Sequence, residues 1–265
     1  MGILNVTPDS FSDGGTFFGK DTAVEQGLKM AEDGVDIIDI GGESTRPGSD
    51  PLPINEELRR TIPVIESLSK KLSVPISIDT YKAEVARRAL DAGASLVNDI
   101  TGLRFDPAMP EVIAAYGVPL VIMHIRGTPK DMQEHPVYEA LIMEIVEYLR
   151  QGIRLAVQSG VSEDLIIIDP GIGFGKTYDH NLQILRDLSE FVSLQKPILV
   201  GPSRKAFLGK ILDNAPPSER LEGTAAAVAV SILNGASIVR VHDVREMARV
   251  ARVVDAIKFG SIVNS

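Results

Sequence analysis

The sequence contains no cysteine and no tryptophan, and aromatic residues make up only 5% of its 265 positions. Without cysteine the chain can form neither disulfide bonds nor thiolate metal sites, and the redox compartment stays undetermined. Because aromatic rings are scarce, the core must be largely aliphatic. Hydrophobic residues still make up 44% of the chain, which is enough for a large core.

Long apolar runs and a surplus of positive charge are also missing. No run approaches the roughly 20 residues that a membrane-spanning helix needs, and no basic-then-apolar leader opens the chain. The formal net charge of -9 argues against general binding to nucleic acid or to an anionic membrane. These absences favour a cytoplasmic protein that binds neither nucleic acid nor membrane.

One stretch indicates how the chain is organised. Residues 165–168 are apolar without polar alternation, which is typical of a strand buried on both faces of a parallel sheet. Asp169 follows at the end of this strand, where α/β proteins place their functional groups. The glycines at 171, 173 and 175 would let the backbone approach another group closely.

The same order of helix, glycine and apolar strand recurs along the chain. Apolar stretches predict eight strands, over residues 1–6, 37–40, 76–79, 96–99, 120–124, 165–169, 198–200 and 238–241. Apolar residues at three- and four-residue spacing predict helices over residues 22–33, 56–72, 82–92, 110–116, 137–159, 181–191, 220–234 and 244–259. Eight such units predict an α/β fold, a single-domain TIM (β/α)8 barrel over residues 1–265; a doubly wound open sheet is the alternative.

Two connections that follow strands are unusually long. Residues 7–21 and 41–55 are rich in glycine, proline, serine and aspartate. Because both follow strands, both would lie at the mouth of a barrel, where this fold builds its active sites. We therefore expect long mobile loops that act as lids after the first and second strands, rather than disordered filler.

Polar residues follow every predicted strand. Taken singly they have a plain structural interpretation: Asp39 would hydrogen-bond to the backbone, and Asp99 would cap the next segment. Taken together, they bring cationic side chains to one rim of a net-acidic chain. These are Arg46, Arg126, Lys176, Arg204, Lys205, Arg240 and His242. The set predicts an anionic and phosphorylated substrate.

Other motifs give weaker predictions. The glycines after Asp169 have the wrong spacing for a dinucleotide-binding fingerprint, and they follow the sixth strand rather than the first. No Walker sequence is present, and the four histidines show no metal-ligand spacing. Asn5 could supply a carbonyl oxygen to Mg²⁺, an ion that keeps several waters and prefers substrate phosphates.

Five segments together resemble the signatures of the dihydropteroate synthase family, in family order and across nearly the whole chain. They are MGILNVTPDSFSDGG at residues 1–15, GGESTRPG at 41–48, DPGIGF at 169–174, SRK at 203–205 and RVHDV at 240–244. The resemblance implies a TIM barrel enzyme of folate biosynthesis. Such enzymes condense 6-hydroxymethyl-7,8-dihydropterin pyrophosphate with para-aminobenzoate, giving 7,8-dihydropteroate and pyrophosphate. It also implies Mg²⁺ as cofactor, a homodimer, and sulfonamides as mimics of aminobenzoate.

The resemblance assigns roles to individual positions. Pterin binding falls to Asp79, Asn98, Ile100, Met123, Asp169, Lys205 and Arg240. Pyrophosphate binding falls to Asn5, Thr45, Arg46, Arg240 and His242, with Asn5 as the metal ligand. Aminobenzoate binding falls to Phe11, Thr45, Pro47, Phe174, Lys205 and Ala206. The catalytic set is Asp13, Arg46, Lys205, Arg240 and His242.

The implied mechanism is dissociative. Pyrophosphate leaves first, a resonance-stabilised cation forms at the pterin methylene, and the aromatic amine then attacks. Catalysis would then consist mainly of stabilising the leaving group and positioning the amine. The chemistry of the pterin supports the role implied for Asp169. The aminopyrimidinone edge of a pterin presents N–H groups, and a buried carboxylate accepts two of them well. The aminobenzoate carboxylate should lie near a helix that opens at Ser203 or just after it.

One departure from the family pattern and two alternative functions remain. The family often has serine directly after the lysine of the fourth segment, where this chain has Ala206, so sulfonamide affinity is left open. A pterin-dependent methyltransferase domain is one alternative, but it would not need the 203–205 motif with both lids. A catalytically inactive pterin-binding paralogue is the other, and it is opposed by the presence of Asn5, Asp13, Arg46 and His242.

Overall fold

The computed structural model describes residues 1–7 and 16–261, and in this part of the chain it contains eight short parallel strands. They are β1 (Gly2–Asn5), β2 (Ile38–Gly41), β3 (Ile76–Asp79), β4 (Leu96–Asp99), β5 (Leu120–Met123), β6 (Ile166–Asp169), β7 (Leu199–Val200) and β8 (Ile238–Val239). Each lies within or at the edge of a predicted stretch. Every residue of β2 to β7 is buried, as expected where helices cover the outer face of the sheet.

The strands form a closed ring. Strands β1 to β6 pair in sequence order, and β7 pairs with β8. A parallel bridge between Ile168 and Ile198 joins β6 to β7, and another between Gly2 and Val241 joins the end of β8 to β1. The Ile3 amide donates to the Val241 carbonyl at 2.9 Å across that last seam. The predicted TIM barrel is therefore confirmed, since an open sheet would keep β1 and β8 apart.

Helices surround the ring. Within the described residues they are α1 (Thr16–Glu32), α2 (Ile54–Ser69), α3 (Ala83–Asp91), α4 (Met109–Tyr116), α5 (Leu141–Gln158), α6 (Tyr178–Arg186), α7 (Ala206–Ile211), α8 (Leu221–Leu233) and α9 (Val244–Phe259). The short α7 was not among the eight helices predicted from periodicity, because six residues are too few to show one. None of the helices described here is long and apolar enough to cross a membrane.

The side chains inside the barrel change character from bottom to top. An apolar layer closes the lower part, formed by Met1, Ile37, Leu96, Val121, Ile167, Leu199 and Ile238. Residues two positions further along a strand point to the same side. At that height the interior carries Asp39, Asn98, Asp169 and Arg240. An apolar layer therefore lies beneath the polar side chains at the C-terminal ends of the strands, where TIM barrels place their active sites.

Candidate active site

A cleft at the C-terminal mouth brings together residues from most of the strand ends. Its walls are formed by Thr45, Asp79, Asn98, Ile100, Met123, Asp169, Ile172, Phe174, Gly201, Lys205 and Arg240. All seven positions predicted to bind a pterin are in this set. The sequence prediction did not include Ile172 and Gly201. Gly201 could have been predicted, because it lies two residues after the inward-facing Leu199. A glycine at that position leaves room in the barrel mouth.

The guanidinium of Arg240 is fixed by two acids from neighbouring strands. Its Nε donates to Asp39 Oδ2 at 2.6 Å, and its Nη2 donates to Asp79 Oδ2 at 2.7 Å. The Asn98 amide also donates to Asp39 Oδ2, at 3.1 Å. The expectation that Asp39 pairs with backbone is therefore wrong. Its carboxylate is fully buried beneath the cleft and orients two predicted pterin ligands.

Asp99 has the structural role that was predicted for it from the sequence. Its carboxylate accepts the amide and hydroxyl of Thr101, both at 2.7 Å, and the amide of Leu103 at 2.9 Å. These bonds hold the turn after β4. The prediction that Asp99 caps the next segment is confirmed.

Asp169 lies at the end of β6, almost completely buried. Its Oδ1 accepts the Gly171 amide at 2.7 Å, and burial raises the pKa of its carboxyl to about 6. Lys205 lies across the cleft, where burial lowers the pKa of its ammonium to about 8. Its Nζ is 4.3 Å from the centre of the Phe174 ring. Ile100 and Met123 form an apolar cluster against which Phe174 packs.

The turn after β6 requires glycine for a steric reason. Gly171 has a φ of 73°, and a Cβ added there would lie 1.9 Å from the carbonyl oxygen of His124. Lys176 closes the same turn from below, with its Nζ 2.9 Å from His124 Nδ1 and donating to the Phe174 carbonyl at 2.9 Å. Lys176 is thus a buried support of the turn and does not contribute to the predicted cationic rim.

His242 is also not a cation. Its Nδ1 lies 2.9 Å from the Ser203 hydroxyl, and its backbone amide donates to the same oxygen at 3.2 Å. Burial is the main cause that lowers the pKa of the imidazole to about 4, and the positive charge of Arg204 is the next largest. When the Ser203 hydroxyl donates to Nδ1, the neutral ring carries its proton on Nε2 and can donate it to an anion.

Two further cations of the predicted rim are held in structural ion pairs. Arg204 binds Asp243 through two bonds, at 3.0 Å and 2.5 Å. Arg126 pairs with Glu144 at 3.2 Å. Together with Lys176 and His242, these leave Arg46, Lys205 and Arg240 of the predicted seven cations, and Arg240 is itself paired with Asp39 and Asp79. The prediction of a broad cationic rim was therefore too wide, because sequence alone does not reveal which cations acids already hold.

The second long loop is ordered by its own hydrogen bonds. The Ser49 hydroxyl donates to the carbonyls of Ser44 and Arg46, at 2.6 Å and 2.7 Å. Thr45 lines the cleft, whereas Arg46 and Pro47 are exposed beside it. In the first loop, Phe11 and Asp13 lie outside the described residues, so their predicted roles stay predictions.

The remaining predicted positions lie at strand ends. Asn5 ends β1, and its Oδ1 is near Asp79, since both side chains lie within 4 Å of a Cβ placed on Gly41. Ala206 is exposed and begins α7, so a helix does open just after Ser203 as predicted. Across residues 1–7 and 16–261, no group of three His, Asp or Glu side chains is arranged to hold a metal ion.

Comparison with known proteins agrees with this geometry. The family described as "Pterin binding enzyme" matches residues 1–242. A dihydropteroate synthase of Synechocystis is 52% identical over 257 residues, which cover 97% of this chain and 89% of that protein. A Clostridium difficile dihydropteroate synthase crystallised with pteroic acid superposes with a TM-score of 0.92 at 48% identity, covering 97% and 95% of the two chains.

A second solved structure extends the similarity. It is the Xanthomonas albilineans dihydropteroate synthase with 4-aminobenzoic acid, with a TM-score of 0.92 at 43% identity, covering 97% of this chain and 92% of that one. The match to the relatives spans the full set of strand ends that build the cleft. The chain therefore belongs to the pterin binding enzyme family and, within it, to the dihydropteroate synthases.

Proposed function

We propose that this protein condenses 6-hydroxymethyl-7,8-dihydropterin pyrophosphate with para-aminobenzoate, a transferase reaction that gives 7,8-dihydropteroate and pyrophosphate for folate biosynthesis. The observation that carries the proposal is the convergence of all seven predicted pterin ligands in one cleft. The similarity to dihydropteroate synthases over 97% of the chain supports it. Among the cleft residues that the structure describes, no feature favours the methyltransferase or the inactive paralogue.

Asp169 would recognise the edge of the pterin. Its carboxylate, when ionised, accepts two N–H groups of the aminopyrimidinone ring as charge-assisted hydrogen bonds. Asn98 and Asp79 would bind the remaining ring nitrogens. Arg240 would lie flat against the pterin face, a placement for which its ion pairs with Asp39 and Asp79 fix the guanidinium in advance.

The pyrophosphate would lie at the rim above the pterin. Asn5, Thr45, Arg46, Arg240 and His242 are the groups proposed to bind it. Asn5 offers one neutral amide oxygen, which suits a Mg²⁺ ion held mainly by phosphate and water. When bound, Mg²⁺ would stabilise charge on the leaving pyrophosphate. His242 would donate its Nε2 proton as a neutral hydrogen-bond donor, and Arg46 would add positive charge from the second loop.

The aminobenzoate would occupy the apolar side of the cleft. Phe174 and Pro47 would form the walls of its slot, with Phe11 completing it. The amine would attack the pterin methylene after pyrophosphate has left, so no strong base is required. Lys205 and the backbone at Ala206 would lie near its carboxylate. A sulfonamide would enter the same slot, without a hydroxyl contact at position 206.

We further propose that the protein acts in the cytoplasm as a homodimer. An apolar groove runs between α6, α7 and α8, and its exposed side chains include Leu182, Ile211 and Val230. Contiguous apolar patches on a protein surface commonly mark sites of association. A second copy of the chain, covering this groove, would bury them.

A turnover assay tests the reaction. Purified protein is incubated with Mg²⁺ and both substrates, and pyrophosphate and dihydropteroate are measured in parallel. Equal amounts of the two products, formed only when both substrates are present, are expected. Absence of both products would overturn the proposal. Pyrophosphate release that continues without aminobenzoate and yields no dihydropteroate would instead indicate a hydrolase.

A further inference from the structure

The second loop is tied at both ends to one lysine. Lys82, just before α3, donates from Nζ to the carbonyl of Leu52 at 2.7 Å and to the carboxylate of Glu43. The Leu52 amide donates to Glu43 Oε2 at 2.9 Å. One ammonium group therefore joins the first and last residues of the segment 43–52, which carries Thr45 and Arg46 to the cleft.

A second acid completes the cluster. Glu57, in the first turn of α2, has its Oε2 2.5 Å from Lys82 Nζ, and its Oε1 accepts the Thr80 hydroxyl at 2.7 Å. The Tyr81 hydroxyl donates to Glu43 Oε1 at 2.8 Å. Each carboxylate thus keeps at least one neutral donor besides Lys82. The loop is consequently fastened to α2 and to the β3–α3 connection at the same point.

Burial makes this attachment effective. Glu57 is 1% exposed and Lys82 is 9% exposed, so their interaction is little weakened by water or salt. Burial raises the pKa of Glu57, and the Lys82 ammonium opposes that rise. A second lysine that pairs with this loop, Lys130 in the connection between β5 and α5, differs in this respect. The side chains of Lys130 and Asp50 pair at 2.8 Å but are 67% and 77% exposed, and such pairs contribute little.

We propose that Lys82 is a positioning residue, which holds the segment 43–52 so that Thr45 and Arg46 lie where aminobenzoate meets the departing pyrophosphate. The proposal rests on the proposed function for the identity of the two substrates. Lys82 touches neither of them in this account. Its loss should therefore affect aminobenzoate use while leaving the pterin pocket intact, since that pocket is built from the other strand ends.

The test compares Lys82→Met with the matched variant Lys130→Met, which removes the exposed ion pair between Lys130 and Asp50 of the same loop. For Lys82→Met we expect kcat/KM for aminobenzoate to fall at least tenfold, while the Kd for free pterin changes less than twofold. For Lys130→Met both values should stay within twofold of the wild type. A folded Lys82→Met that keeps its kcat/KM, or that loses pterin affinity to the same degree, would overturn the proposal.

The double variant Lys82→Met/Glu57→Gln guards against simple unfolding. It removes the second buried charge, and Glu43 keeps the Tyr81 and Leu52 donors. It should melt as one cooperative unit and show the same loss in aminobenzoate use. Amide hydrogen exchange of residues 44–50 is measured alongside and should be faster than in wild type. That readout needs no turnover, so it decides the positioning role even if the wild type proves inactive; unchanged exchange would refute the role.

Discussion

At the scale of single residues, burial moves two pKa values at the mouth toward each other. It raises that of Asp169 to about 6 and lowers that of Lys205 to about 8. Between these values Asp169 is an anion and Lys205 a cation. A pterin edge that donates two N–H groups needs the anion, so the charge state required for binding exists only above the pKa of Asp169.

A pH dependence follows for pterin binding. Below about pH 6 a proton competes for Asp169, and the affinity for free pterin should fall by about fivefold between pH 6 and pH 5. Calorimetric titration between pH 5 and pH 8 measures this. Asp169→Asn serves as the control, since it should bind weakly with no such decline. An affinity that rises as the pH falls from 6 to 5 would contradict the assignment.

His242 gives a second prediction at this scale. Because its pKa is about 4, the imidazole contributes a hydrogen-bond donor rather than a charge near neutral pH. Glutamine offers a neutral N–H at a similar distance. His242→Gln should therefore bind inorganic pyrophosphate within about threefold of the wild type, whereas His242→Ala should bind at least tenfold more weakly. Equal losses in the two variants would show that a positive charge is needed.

At the scale of elements, the connection after β6 shows how one turn serves the site. It presents Asp169 and Phe174 to the cleft while its backbone touches the connection after β5 at His124. The Tyr138 hydroxyl donates to the Gly175 carbonyl at 2.7 Å, and the Gly173 amide donates to Asn181 Oδ1 at 2.7 Å. Phe174 is thus placed by bonds on both sides of it.

Substitution of the turn glycine tests this close approach. Gly171→Ala places a Cβ against the His124 carbonyl and should lower the free energy of unfolding by more than 3 kcal/mol, of the size seen for severe steric changes. Gly117→Ala is the matched control, because its φ is also positive but nothing lies within 4 Å of the added Cβ. It should cost only about 1–2 kcal/mol. Denaturant unfolding of both measures the difference, and equal losses would mean that strain alone matters.

The helices show which boundaries could be predicted from the sequence and which could not. α4 and α9 end where the pattern predicts, since each has glycine in the left-handed conformation just past its last residue. α5 begins at Leu141 rather than at residue 137, because Glu144 caps it by accepting the amides of Glu139 and Ala140. α6 ends at Arg186 and a tighter 3-10 segment follows, a change that hydrophobic spacing does not reveal.

At the scale of the whole molecule, the ring of parallel strands explains why the site could be anticipated in outline. All parallel strands end at one mouth, so polar residues far apart in sequence had to meet there. Which of them pair could not be predicted in the same way. Arg240 binds Asp39, 201 positions away, and only the closed barrel places that acid below the guanidinium. The number of unpaired cations at the barrel mouth was overestimated for the same reason.

The oligomeric state is a prediction at this scale. Two 28.6 kDa chains should associate through the groove between α6, α7 and α8. Val230→Glu places a charge within that groove and should give a monomer in analytical ultracentrifugation. Met143→Glu, on the exposed face of α5, should leave the dimer intact. A wild type that sediments as a monomer at micromolar concentration would refute the dimer.

The central claim is that the mouth has two parts, a pterin pocket inside the barrel and an anion site at its rim. A crossed calorimetric experiment tests it most directly, with free pterin and inorganic pyrophosphate each titrated into wild type, Asp169→Asn and His242→Ala. We expect Asp169→Asn to lose at least tenfold in pterin affinity while keeping its pyrophosphate affinity, and His242→Ala to show the reverse. If Asp169→Asn bound pterin as tightly as the wild type, the account of the pocket would be wrong.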